Sequence, residues 1–228
     1  MQDPDFQPPV NPLPPVVTLT FIAIAGVEAG LSLGEAGLIG GPGAVGWRLG
    51  LIRDYGFSGQ IFDWMMGNGV WPFTEVIRAI TYPFIHLGFT HALFAMVLLL
   101  ALGKLVAEAM GQLTFAAIFV TASAGGAVLY AVLLDDPAWL VGAYPGVYGL
   151  IGGYSFVMWR QLAGTGTQQY RAFSLIAFLM GIQLIWGVFF EVGTQWVAEL
   201  IGFFLGFGLC FLLAPGEWAR VRDSLRRR

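Results

Sequence analysis

Between Pro15 and Ala214 the chain loses nearly all its charged residues for long stretches at a time, and this limits what it can become. Backbone N–H and C=O groups in hydrocarbon must be satisfied within the segment, so an apolar run of about 20 residues, enough to cross ~30 Å of lipid, is restricted to a helix. Six such runs are read, at about 15–33, 83–110, 112–134, 145–162, 171–190 and 194–214. Composition leaves no soluble alternative: with 57% hydrophobic residues, 11% charged residues and a mean hydropathy of +0.74, there are too few charges to solvate a globule of this size. The expected fold is an all-α polytopic membrane protein with six transmembrane helices.

The opening MQDPDFQPPVNPLPP is acidic and proline-rich, where a cleavable signal needs a basic start and an apolar core. Residues 1–14 are therefore expected to be a flexible cytoplasmic tail, 15–215 the transmembrane domain and 216–228 a basic cytoplasmic tail. The segment 34–81, with GWRLGLIRDYGFSGQIFDWMM, is patterned as short amphipathic helices lying at an interface. Lys104, Arg160, Arg171 and the arginines from Arg220 onward fall on one side of the predicted spans, and Asp135, Asp136 and Glu191 on the other. The excess of basic residues places both termini in the cytoplasm and the long first connection outside. The compact form and arginine-rich tail suggest a bacterial inner membrane. A net charge of −3 gives no reason to expect nucleic acid, and the single Cys210 excludes an internal disulfide.

Polar residues inside spans are costly and are the first functional candidates. The two histidines, His86 and His91, open the second span, but no cysteine or carboxylate stands at a zinc-ligand spacing from them, so no metal is expected. Nothing points to a cofactor. Glu199 lies in VAELIGFFLGFG, above a small-xxx-small face made by Gly202 and Gly206. Glu28 and Glu199 also admit a plainer reading, as residues near span ends reaching water, and this is favoured for Glu28. Ser123 and Ser155 are expected to bond their own helix backbone. In VGAYPGVYGL a Tyr-Pro pair, Tyr144 and Pro145, sits among small residues that permit close approach.

His86 and His91 followed by Gly103 and Gly111, a glycine-rich turn opening the fourth span, and the glycine pair of the sixth resemble, in order and spacing, the rhomboid intramembrane serine proteases. Six spans and a long first loop with interfacial helices agree, and Arg78 falls where the family has a Trp-Arg pair. The resemblance covers about 16–215. It implies a serine nucleophile in a G-x-S-G turn, here Gly142 to Pro145, which puts Tyr144 on the serine and Pro145 on the second glycine. Gly146, Tyr148 and Gly152 keep the residues that follow. The family's base, a histidine three and seven positions before the glycines of the sixth span, falls on Glu199. Its oxyanion histidine matches His91, but Ala95 stands where the asparagine belongs, and Glu108 is one residue late for a family glutamate.

A phenol of pKa ~10 is not activated by a carboxylate of pKa ~4.3 for acyl transfer at neutral pH. With nucleophile, base and one oxyanion donor replaced, and such groups acting as a unit, the expectation is a pseudoprotease and not an enzyme. Superfamily members without the catalytic pair are thought to bind transmembrane helices, so the implied partners are transmembrane client proteins or subunits of a membrane complex, beside the lipid bilayer. Gly103, Gly152, Gly202 and Gly206 are read as helix-packing positions, and Tyr148 as packing. Tyr144 is expected to donate a hydrogen bond to Glu199. The alternative is an active serine-type hydrolase with relocated residues. A transporter has less behind it, since no broken helices with inverted symmetry are seen.

Overall fold

A computed structural model describes residues 11–163, 168–190 and 193–213. The expected tails before residue 11 and after 213, and the Glu191 position, lie outside the described residues. Helix α1 (Pro15–Glu35) opens at a proline pair that suits a helix start. The first connection then folds into α2 (Trp47–Tyr55), α3 (Gly59–Asn68), α4 (Phe73–Val76) and α5 (Arg78–Thr81), none long enough to cross a bilayer. The long helices follow: α6 (Phe89–Met110), α7 (Gln112–Leu133), α8 (Tyr144–Leu162), α9 (Ser174–Phe189) and α10 (Trp196–Leu213).

The start of α6 corrects the expected one by six residues. Pro83 belongs to a 3-10 turn, Tyr82–Phe84, and the helix begins only after Gly88, where His91 Nδ1 accepts the Leu87 N–H at 3.3 Å and closes the first turn like a capping box. Asn11, expected within the free tail, is tied to the far end of α6: its side chain donates to Glu108 at 2.8 Å and its carbonyl accepts from Lys104 at 3.0 Å.

Among the described residues, five helical stretches are long and apolar enough to cross a membrane: α1, α6, α7, Gln169–Phe189 and α10. Helix α8 is present where the fourth span was expected, but it is outside that set. It packs against α6, α7 and α10 and buries eleven of its nineteen residues, so its surface is met by protein and is built from glycine rather than leucine. At its contact with α10 the two backbones touch: a methyl group on Gly202 would overlap the Pro145 carbonyl, one on Gly206 the Gly149 carbonyl, and one on Gly152 the Phe203 carbonyl. Gly103 of α6 allows a similarly close approach to α7, where a Cβ would come within 2.8 Å of the Phe115 ring. Side chains this small are how membrane helices gain van der Waals contact where the hydrophobic effect no longer drives them together.

Polar contacts pin the first connection to this bundle. Arg78, 9% exposed, donates to the Arg53 and Gly56 carbonyls at 2.7 and 3.2 Å, pairs with Glu75, and lies over the Trp139 ring. A two-residue antiparallel ladder sets Phe57 opposite Leu140 and Ser58 opposite Trp139, joining the first connection to the loop before α8. Tyr82 donates to the Ser123 carbonyl at 2.8 Å from a fully buried position.

The α7–α10 corner is held by Asp136, whose carboxylate accepts from the Thr194 hydroxyl, the Ala138 N–H and the Tyr130 hydroxyl. These bonds, Thr194's first, hold its pKa below the ordinary aspartate value. A depressed folded pKa stabilises the fold above the unfolded value and is lost as pH falls through the folded one. Acid titration below about pH 4 should therefore loosen this corner. In thermal melts Asp136→Asn should flatten that acid response, at a neutral-pH cost of at most about 1 kcal/mol because the carboxylate is largely solvated.

Candidate functional site

The site forms where the loop before α8 meets the start of α6. Gly142 has φ +98°, a conformation that favours glycine, and a Cβ there would also press to 2.8 Å from His91 Cε1. The turn it allows starts α8 at Tyr144, with Pro145 in the first turn where its missing N–H costs nothing. His86, fully buried, holds the turn from the other side: its Nε2 accepts the Ala143 N–H at 3.2 Å, and its ring meets His91 edge-on with centroids 5.3 Å apart.

The Tyr144 hydroxyl does not donate to Glu199 as expected. Its ring stacks on His91 at 4.8 Å and its hydroxyl donates to the His91 carbonyl at 3.1 Å. The stacking decides the direction, because a phenol lying flat on an imidazole at the start of α6 carries its oxygen along that helix. The tyrosine that interacts with the Glu199 carboxylate is Tyr148, one turn further into α8. Glu199 also accepts from Gln183 Nε2 of α9 at 2.6 Å. Ala95 is fully buried and offers no donor to replace the amide the family has there.

His91 Nδ1 is occupied as an acceptor, which leaves the proton of the neutral ring on Nε2. Tyr144 covers one ring face. Ser123 and Ser155 are buried at 1% and 0% exposure, and neither hydroxyl has a hydrogen-bond partner among the described residues, contrary to the backbone bonds expected for them. Among the described residues no group of three His, Cys, Asp or Glu side chains could hold a metal ion.

Beside Glu199 a cavity of about 860 Å³ opens between α9 and α10, reaching Leu87 at the foot of α6. Met180, Leu184, Val188 and Leu200 make its wall largely apolar, and Gln183 and Glu199 meet within it. Helix α9 packs mainly on the 3-10 turn Gln169–Phe173 that leads into it, and Ile176, 7% exposed, is its one buried residue. The cavity's second wall is thus a helix with few ties to the bundle.

The family model for the Rhomboid domain matches residues 74–216, well over half of the chain. The chain belongs to the rhomboid family. No curated protein matches it. The rhomboid match runs from α4 to just past α10, so it takes in the Tyr144 turn, both histidines and the cavity, and leaves α1, α2 and α3 outside.

Two parts of this rhomboid site were not read from its sequence. Past Ser174, Gln183 is the one amide or charged side chain in SLIAFLMGIQLIWGVF, and the cost of a buried amide in lipid could have marked it. The other is an ion cluster behind His86. Arg48 of α2 donates to both Glu28 oxygens at 2.9 Å, to Glu35 at 2.6 and 3.1 Å, and to the His86 carbonyl at 2.7 Å. Hydrogen bonds to Glu28 first, then to Glu35, raise the guanidinium's pKa above its ordinary value. Glu28, 2% exposed, is therefore a buried ion-pair partner and does not reach water. No sequence rule joins an arginine in a short loop helix to a glutamate twenty residues earlier.

Proposed function

We propose that this rhomboid-family protein is a pseudoprotease that holds transmembrane segments of partner proteins without cleaving them. In this reading α8 is a sixth span, both termini are cytoplasmic, the first connection is outside and the membrane is a bacterial inner membrane. The observation that carries the proposal is the apolar cavity between α9 and α10, wide enough for side chains of a neighbouring helix and bounded by a weakly tied wall. The groups at the family's catalytic positions support it. The Tyr144 hydroxyl is engaged with a backbone carbonyl, and Glu199 with Gln183 and Tyr148, so no nucleophile–base hydrogen bond joins the two. The hydrolase alternative draws no support from Ser123 or Ser155, whose buried hydroxyls meet no base.

The test is reconstitution into proteoliposomes with a fluorogenic transmembrane substrate and a photo-crosslinker in place of Leu184. Wild type should leave the substrate intact at the rate of empty liposomes, while the crosslinker captures it. Cleavage above that background, abolished by Ser123→Ala or Ser155→Ala, would return the hydrolase.

A further inference from the structure

The cavity wall is apolar, yet the polar atoms within it are unevenly matched. Glu199 receives one N–H from Gln183 and meets the Tyr148 phenol. Gln183 Oε1 is buried and has no hydrogen-bond partner among the described residues. Gln195, at the cavity's rim, has turned its amide to the Trp139 carbonyl instead. Ion pairs among the described residues join Arg48 to Glu28 and Glu35, Arg53 to Asp54, Arg78 to Glu75 and Lys104 to Glu108, and none of them uses Glu199. A carboxylate and an amide oxygen thus face an apolar groove with no cation beside them.

Building on the helix-holding reading, we infer that the groove selects a transmembrane segment carrying a lysine or arginine at the depth of Glu199. Charge and donor count both point to a cation. An uncompensated carboxylate in apolar surroundings is costly, and an ammonium or guanidinium compensates it while supplying the extra N–H that Gln183 Oε1 lacks. A serine or threonine brings one proton for two acceptors and no charge. Depth follows from position: Glu199 lies in the first turn of α10, so the client's basic residue sits within a turn or two of its own helix end, where its long stem reaches inward while the backbone stays shallow.

The experiment uses the full chain in phosphatidylcholine/phosphatidylglycerol nanodiscs. The probe is a fluorescent Leu-Ala transmembrane peptide with one lysine placed one turn and a half from its end, compared with the same peptide carrying leucine there. The lysine peptide should bind about three- to tenfold more tightly, the span of interhelical polar interactions in membranes. Glu199→Gln should remove most of that preference, bringing the ratio of the two peptides' affinities toward one. Gln183→Leu, which leaves α10 intact, should reduce it as well and serves if Glu199→Gln does not fold. Moving the lysine to the peptide's centre should abolish the gain. Equal binding of the two peptides by wild type overturns the cation preference while the helix-holding reading stands. No saturable binding of either peptide overturns both. Loss of the preference in phosphatidylethanolamine nanodiscs, with that lipid retained through purification, assigns the donor to a lipid amine and overturns the inference too.

Discussion

Arg48→Leu should destabilise the protein by about 3–5 kcal/mol, read as a lower midpoint in thermal unfolding in mild detergent. All five guanidinium protons are used, on Glu28, Glu35 and the His86 carbonyl. The size of the loss comes less from the bonds removed than from what they leave behind, a buried Glu28 carboxylate with, among the described residues, only the Ser32 hydroxyl as donor. Glu28→Gln in the Arg48→Leu background should therefore recover part of the stability, which a simple loss of packing would not allow. The effect should also travel: freeing the His86 carbonyl loosens the ring that accepts the Ala143 N–H, so the turn before Tyr144 should become more accessible to cysteine labelling at position 143. A variant with unchanged melting and labelling would mean that the cluster does not hold the site.

Gly206→Leu should be at least as damaging, at or above the ~3 kcal/mol upper end of ordinary overpacking. In a side-chain core a neighbour can rotate away, but here the obstacle is the Gly149 carbonyl on α8, and relief requires moving a whole helix. Gly208 supplies the control within the same helix, because a Cβ there meets nothing within 4 Å. Gly208→Leu should change stability by no more than about 0.5 kcal/mol. Equal effects from the two substitutions would mean that α8 and α10 are not in backbone contact.

The long helices were legible because the hydrocarbon requirement acts on each segment separately: a run of apolar residues needs no knowledge of its neighbours to become a helix. Their ends were less so. Pro83 and His91 set the start of α6 through a 3-10 turn and a side-chain cap that apolar content does not register. At the site, motif spacing brought Tyr144, His86, His91 and Glu199 into one discussion, but it could not tell which tyrosine meets the glutamate. That choice depends on Tyr144 lying flat on His91, a ring geometry with no counterpart in spacing. The Arg48 cluster was illegible for a different reason. It joins three separate elements through one side chain, and each partner viewed alone looks like an ordinary polar residue near a helix end.

The composition of α8 also bears on how the chain is made. A helix emerging from the ribosome is sorted into lipid by its own hydrophobicity, and α8 offers glycines, Tyr154, Ser155 and Arg160 where its companions offer leucine and phenylalanine. Its glycine face is covered by α10, which is synthesised later. On the six-span reading proposed above, α8 has only α6 and α7 to pack against during that interval, and its glycine face closes only when Gly202 and Gly206 arrive. On that reading the same close contact that packs the finished protein imposes an order on its birth, with α10 acting as the lock for α8.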